Sequence, residues 1–156
     1  MLQYPHMLQE TITQDMKSAL KAGERLRLSV VRNIKSEIAN QLVTNGEKPD
    51  GELPDKDVVE VIARLAKQRR EAATEFDAGE RTEMADKERA ELEILEEYLP
   101  EQMSDKELET LITSTIAEVG AEDMSAMGQV MGKVMAKTGP ATDGDTVRRI
   151  VEEKLK

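Results

Sequence analysis

The 156-residue sequence contains no cysteine and a single histidine. The absence of cysteine excludes disulfides, thiolate catalysis and cysteine-ligated zinc sites. The histidine, His6, belongs to a leader of residues 1–6 that precedes the first amphipathic pattern, and we expect this leader to be disordered. We therefore expect no histidine-dependent triad, no metal site and no cofactor.

Aromatic residues are also scarce, with two tyrosines, one phenylalanine and no tryptophan. The core must then be built from Leu, Ile, Val, Met and Ala, which suits helices that pack on helices better than a β-sheet. The sequence contains no strand pattern and no internal repeat. The composition therefore predicts an all-α fold.

Long hydrophobic runs are missing as well. No segment approaches the roughly 20 apolar residues that span a bilayer, and the N-terminus lacks the apolar stretch of a secretory signal. We expect a cytoplasmic protein with no membrane contact. The formal net charge of −10 argues against a general nucleic-acid binder unless the cations are clustered locally.

Helical periodicity divides the first 99 residues into four amphipathic segments. They cover about residues 8–22, 24–44, 55–79 and 82–99. In the first segment, Leu20 continues a stripe of apolar residues spaced four apart. Asp55 is the candidate N-cap of the third segment, and Met84 belongs to the inward face of the fourth.

Pro100 interrupts this pattern, and three shorter helical segments follow it. The first begins at Ser104, which forms the S-x-x-E pattern of a capping box with Glu107. The three segments cover about residues 105–119, 127–137 and 147–155. We predict an N-terminal four-helix domain, residues 7–99, and a small three-helix domain, residues 100–156.

Basic residues are concentrated in the second and third predicted helices. Arg27 and Arg69 fall in register with apolar stripes and are predicted to be snorkelling or paired interior arginines rather than ligand contacts. The other cations either pair with the acidic fourth helix, or are solvated, or line a groove for a phosphate-bearing partner. The candidates for that groove are Arg25, Arg32, Lys35, Lys67 and Arg70.

The stretch MGQVMGKVMAKTG, residues 127–139, combines an apolar helix face with two glycines one turn apart. A glycine inside a helix costs about 1 kcal/mol relative to alanine. At about 100° per residue, Gly128 and Gly132 form a strip beside the apolar arc. Lys133 and Lys137 lie beyond that strip.

Two interpretations of this strip are open. Either a neighbouring helix packs unusually close to the glycines, or a large, flat or phosphate-rich ligand lies along the strip and contacts Lys133 and Lys137. Arg148 and Arg149 extend the same positive edge in the second interpretation. Residues 126–149 contain four basic and two acidic residues, a local charge of +2.

Four segments of the sequence together resemble the YqeY family, from about Met7 to the C-terminus. They are RLSVVRNIKSEI (27–38), LAKQRREA (65–72), ELEILEEYLPEQMSDKELE (91–109) and DMSAMGQVMGKVMAKTGPATDGDTVRRIV (123–151). Residues 100–156 are also similar to the tail domain of the B subunit of the bacterial glutamyl-tRNA(Gln) amidotransferase. A similar domain is appended to some glutaminyl-tRNA synthetases.

The resemblance implies a two-part helical protein that binds tRNA or an aminoacyl-tRNA or amidotransferase-type complex. The tail domain contacts the body of the tRNA, and the matching surface here comprises Gly128, Gly132, Lys133 and Lys137. The following loop, TGPATDG, lacks the basic residues that family members often carry.

Carbon–nitrogen ligase activity with glutamine as amido-N-donor is implied for the amidotransferase and not for this chain alone. The sequence has no nucleophile with an adjacent base, no phosphate loop and no metal cluster. We therefore expect an accessory module rather than a free-standing enzyme. The alternative function is a protein-interaction module that binds no RNA.

Overall fold

The computed structural model describes residues 7–139 and 141–156. Within these ranges the chain forms seven α-helices and no strand, which confirms the all-α prediction. The helices are α1 Met7–Ala22, α2 Arg25–Thr44, α3 Asp55–Ala78, α4 Thr82–Glu96, α5 Asp105–Val119, α6 Met127–Thr138 and α7 Gly144–Leu155. A 3₁₀ turn, Met124–Ala126, precedes α6. The predicted leader, with His6, lies outside the described residues.

Helices α1 to α4 form the first of two compact units, which ends at Leu99. Helix α3 packs along α4, and α1 packs along α2. Their apolar faces enclose a buried cluster that includes Ile12, Ile34, Ile62 and Leu95. This core contains no buried aromatic side chain among the residues that the structure describes, as the composition predicts.

Two residues that periodicity places in this core are exposed. Leu20 is 59% exposed and Met84 is 45% exposed, whereas their small neighbours Ala19 and Ala85 are buried. Ala19 lies about 20° from Ile12 around the axis of α1, and Leu20 lies about 80° away. Met84 belongs to the first turn of α4. Periodicity identifies a direction around a helix but not how far along it a neighbour packs.

Asp55 is not an N-cap. Pro54 occupies that position, and Asp55 is the first residue of α3. Its Oδ1 accepts a hydrogen bond of 2.9 Å from the backbone N–H of Leu8, in the first turn of α1. The first N–H groups of a helix have no partner within the helix, and this carboxylate satisfies one of them across 47 residues of sequence.

Arg27 and Arg69 are both paired, which is one of the two predicted alternatives, and their side chains are partly buried, at 33% and 24% exposed. Arg27 donates to both carboxylate oxygens of Glu97, and this hydrogen bonding lowers the pKa of Glu97 and raises that of Arg27. Arg69 Nε lies 2.8 Å from Glu91 and 3.6 Å from Glu88. These arginines connect α2 and α3 to the acidic α4 and the residue that follows it.

The second unit, Pro100 to Lys156, contains α5, α6 and α7. The predicted capping box is present: Ser104 Oγ accepts from the Glu107 N–H at 3.2 Å, and Glu107 accepts from the Ser104 N–H at 2.8 Å. The core is small and brings Ile112 of α5 together with residues such as Val134 of α6 and Val151 of α7.

Candidate functional site

The face of α6 that carries Gly128 and Gly132 is open. Both residues are exposed, and a Cβ atom added to either would find no neighbouring heavy atom within 4 Å. The buried residues of α6 are Val130 and Val134, which lie about 160° away around the helix axis. The interpretation that a helix of this unit packs against the glycines is therefore wrong.

These two glycines serve no geometric need of the backbone. Neither has a positive φ, in contrast to Gly120, which ends α5 with a φ of 68°. A glycine inside a helix costs about 1 kcal/mol relative to alanine, and Gly128, in the first turn, costs less than Gly132. The result is a stretch of helix backbone that carries no side chain and that a neighbouring molecule could approach closely.

The two lysines of α6 converge on one carboxylate. Lys137 Nζ lies 2.9 Å from Glu118 Oε2, and Lys133 Nζ lies 3.5 Å from Glu118 Oε1. Glu118 is near the end of α5, and all three side chains are between 40% and 50% exposed. The hydrogen bond from Lys137, together with the charge of Lys133, holds the pKa of Glu118 below its ordinary value.

Arg148 and Arg149 are exposed on α7. Arg149 Nη1 lies 3.4 Å from Glu153 Oε1, one turn further along α7. In the part of the chain that the structure describes, neither arginine has an ion pair with Glu118. The structure therefore brings Lys133 and Lys137 together and assigns Arg149 to a separate pair.

The candidate groove residues of the N-terminal unit have different surroundings. Lys35 is half-buried, and its ammonium group donates to Thr13 Oγ1 at 2.8 Å, so it is directed towards α1. Arg70 is half-buried as well. The exposed members of the set are Arg25, Arg32 and Lys67.

The open face of α6, with its two lysines, is suited to binding an anionic group. Two ammonium groups that each reach one oxygen of the same carboxylate can also bind one phosphate through charge-assisted hydrogen bonds. Between residues 7 and 139 and from 141 onwards, no group of three or more His, Cys, Asp or Glu side chains could hold a metal ion. No helix in those ranges is long and apolar enough to cross a membrane.

Sequence reasoning missed Glu118. It is separated from Lys133 by 15 residues and from Lys137 by 19, so no local spacing reveals the contact. The only available signal was an acidic residue in the last turn of α5, where a negative charge opposes the helix dipole.

A family model described as "Yqey-like protein" matches residues 9–155. The chain belongs to the YqeY family. The match covers nearly all of α1 and every later helix, so the family pattern includes both units and the open face of α6.

Three relatives of this YqeY-family chain carry the name altered inheritance of mitochondria protein 41, mitochondrial. The chain is 30% identical to the protein of Kluyveromyces lactis over 133 residues, which are 83% of this chain and 70% of that protein. The protein of Pyrenophora tritici-repentis is 29% identical over 142 residues, 89% and 76% of the two chains. That of Saccharomyces cerevisiae is 23% identical over 132 residues, 81% and 69%. These names place the relatives in mitochondria and specify no ligand or reaction.

Proposed function

We propose that this chain is a non-catalytic helical module that binds tRNA through the open face of α6, alone or in an aminoacyl-tRNA or amidotransferase-type complex. The observation that carries the proposal is the exposed pair Gly128 and Gly132 beside the converging ammonium groups of Lys133 and Lys137.

The expected location of this activity is the cytoplasm. The relatives named above are mitochondrial, and immunofluorescence or cell fractionation tests the location directly.

The shape of α6 fits the surface of folded RNA. The minor groove of an A-form helix is wide and shallow and is recognised by its shape, its 2′-hydroxyls and its phosphates. A helix face without side chains at Gly128 and Gly132 can lie close to such a surface. Lys133 and Lys137, on the flank of that face, then reach a phosphate oxygen.

The distribution of charge along the sequence also supports the open face of α6 as the proposed tRNA-binding surface. The whole chain has a net charge of −10, yet residues 126–149 have a local charge of +2. Arg148 and Arg149 are exposed on the next helix, although Arg149 is paired with Glu153, and they are the weaker part of the proposed edge. The N-terminal cations Arg25, Arg32, Lys35, Lys67 and Arg70 are a second, weaker candidate for phosphate contacts.

A salt-dependent tRNA titration tests the proposal. We expect binding at low salt that weakens as salt rises, because phosphate contacts release counterions. The double substitution Lys133→Gln/Lys137→Gln should weaken binding about tenfold or more at low salt. The matched control is Lys106→Gln/Lys154→Gln, which removes two exposed lysines of the same unit and should weaken binding less than about threefold.

Large side chains introduced on the open face of α6 provide a second test. The Gly128→Leu/Gly132→Leu variant should fold, because the positions around both glycines are empty and leucine is a better helix former than glycine. It should lose tRNA affinity while its melting temperature is no lower than that of the unaltered protein. Absence of tRNA binding by the unaltered protein at low salt would overturn the proposal. Glutamine-dependent amidation of glutamyl-tRNA by the purified protein alone would overturn its non-catalytic part.

The alternative, a protein-interaction module, is favoured by one feature of α5. A shallow groove of about 580 Å³ is lined by Met103, Leu111 and four polar residues of the same segment. If the chain retains a synthetase or amidotransferase subunit after nuclease treatment, and the lysine substitutions do not affect this retention, the alternative is preferred.

A further inference from the structure

Glu118 is the only acidic side chain that the structure, in its described ranges, pairs with the lysines of the open face. Its two carboxylate oxygens are shared, one with Lys133 and one with Lys137, at 3.5 and 2.9 Å. Two cations and one carboxylate leave this cluster with a charge of +1. The cluster is therefore an occupied anion site whose occupant is a side chain of the protein.

Helix stability does not explain the position of Glu118. It is the second-last residue of α5, Asp105–Val119, and the last turn of this helix contains no basic residue. A negative charge there opposes the helix dipole. The lysines of α6 offset that cost from a neighbouring helix.

Displacing Glu118 from the two lysines requires little free energy. Its side chain is half exposed. Ion pairs between exposed side chains contribute little to stability, so the carboxylate can rotate into water. A phosphate group offers the same kind of acceptor oxygens and more negative charge.

We propose that Glu118 occupies the place of a ligand phosphate between Lys133 and Lys137, and thereby acts as an internal competitor that sets the affinity of the open face for anions. This inference rests on the proposed function and adds its regulation. A polyanion that contacts only the two lysines does not displace the carboxylate. A phosphodiester chain that also lies along Gly128 and Gly132 makes additional contacts with the helix and does displace it. The carboxylate thus selects for partners that use the whole face.

The test compares Glu118→Gln with Glu109→Gln in the full chain. Glu109 is exposed on the same helix, so both variants change the net charge by the same amount. In a tRNA titration at low salt, Glu118→Gln should tighten binding about threefold to tenfold, because it removes a like charge about 4 Å from the ligand phosphate in a water-like medium. Glu109→Gln should tighten it less than twofold, and adding Lys133→Gln/Lys137→Gln to Glu118→Gln should abolish the gain.

The outcomes separate this inference from the proposed function. Equal effects of the two glutamate variants, with tRNA binding still dependent on the lysines, would overturn the competitor role and leave the proposed function standing. If no variant binds tRNA, the proposed function fails, and titration with inorganic pyrophosphate decides the inference alone. Larger shifts of the α6 backbone amide signals at lower pyrophosphate concentration in Glu118→Gln would support it, and identical titration curves would overturn it.

Discussion

The two units of this chain use their basic side chains in opposite ways. In the N-terminal unit, Arg27 and Arg69 lie between helices, and each meets carboxylates of α4 or of the residue that follows it. In the C-terminal unit, Lys133 and Lys137 lie on the surface and share one exposed carboxylate. The richer basic cluster in the sequence is therefore partly structural, and the sparser one is exposed on the surface.

The units also begin their helices differently. The N-caps of α2, α3 and α4 make no side-chain hydrogen bond to the helix. In the C-terminal unit, Ser104 caps α5 and Asp143 caps α7 through their side chains, whereas Ala126, the N-cap of α6, makes no such bond. A unit of fewer than 60 residues buries a small core, so each cap is a larger share of its stability.

The largest effect on the free energy of unfolding should come from removing Arg69 of α3 from its contact with two carboxylates of α4. Arg69→Met removes the partner of Glu88 and Glu91, whose side chains are only 19% and 12% exposed. Two neighbouring carboxylates are then left without a cation, and we expect a loss of about 2 to 3 kcal/mol. Urea unfolding followed by circular dichroism measures it.

Arg149→Met is the control for this prediction. It breaks an exposed pair one turn apart in α7 and should cost about 0.5 kcal/mol or less. Equal costs for the two substitutions would erase the contrast between structural and available cations.

The second effect has the opposite sign. Gly132→Ala should stabilise the C-terminal unit by about 1 kcal/mol and Gly128→Ala by about 0.5 kcal/mol, because each methyl group enters open space on a helix. Thermal unfolding measures the gain. The control is Gly120→Ala, which should destabilise the unit, since the φ of 68° at this position disfavours a Cβ.

The same alanine variants also connect stability with binding. If the open face is a contact surface, they should bind tRNA more weakly than the unaltered protein while melting at a higher temperature. A variant that gains both stability and affinity would show that α6 binds through another face.

Much of the fold was predictable because it depends on local patterns. The Ser104 capping box and the approximate extent of each helix follow from residues within a few positions of each other. Leu20 and Met84 were misplaced because burial depends on where a neighbouring helix lies. Sequence placed the glycines and lysines side by side on α6 but could not decide whether that strip was covered.

The third prediction tests the role of capping in the smaller unit. Ser104→Ala removes the acceptor of the Glu107 N–H and should cost about 1 kcal/mol. Ser114→Ala, at an exposed position within the same helix, should be neutral or slightly stabilising, because alanine is the better helix former. Amide exchange across α5 distinguishes the two, and similar protection in both variants would contradict the importance of the cap.

The smallest effect concerns the Arg27–Glu97 pair and depends on pH. Hydrogen bonds from Arg27 lower the pKa of Glu97 below its ordinary value of 4.5, so the pair contributes stability above that pH and loses it as the pH falls through the lowered value. Because Glu97 is half exposed, we expect a contribution of about 0.5 kcal/mol.

Glu97→Gln should therefore reduce the urea midpoint slightly at pH 7 and not at pH 2. Glu96→Gln, an exposed neighbour, should leave the difference between the two pH values unchanged. If Glu97→Gln instead matched Glu96→Gln at both pH values, Arg27 would join Lys133 and Lys137 as a cation available to a ligand.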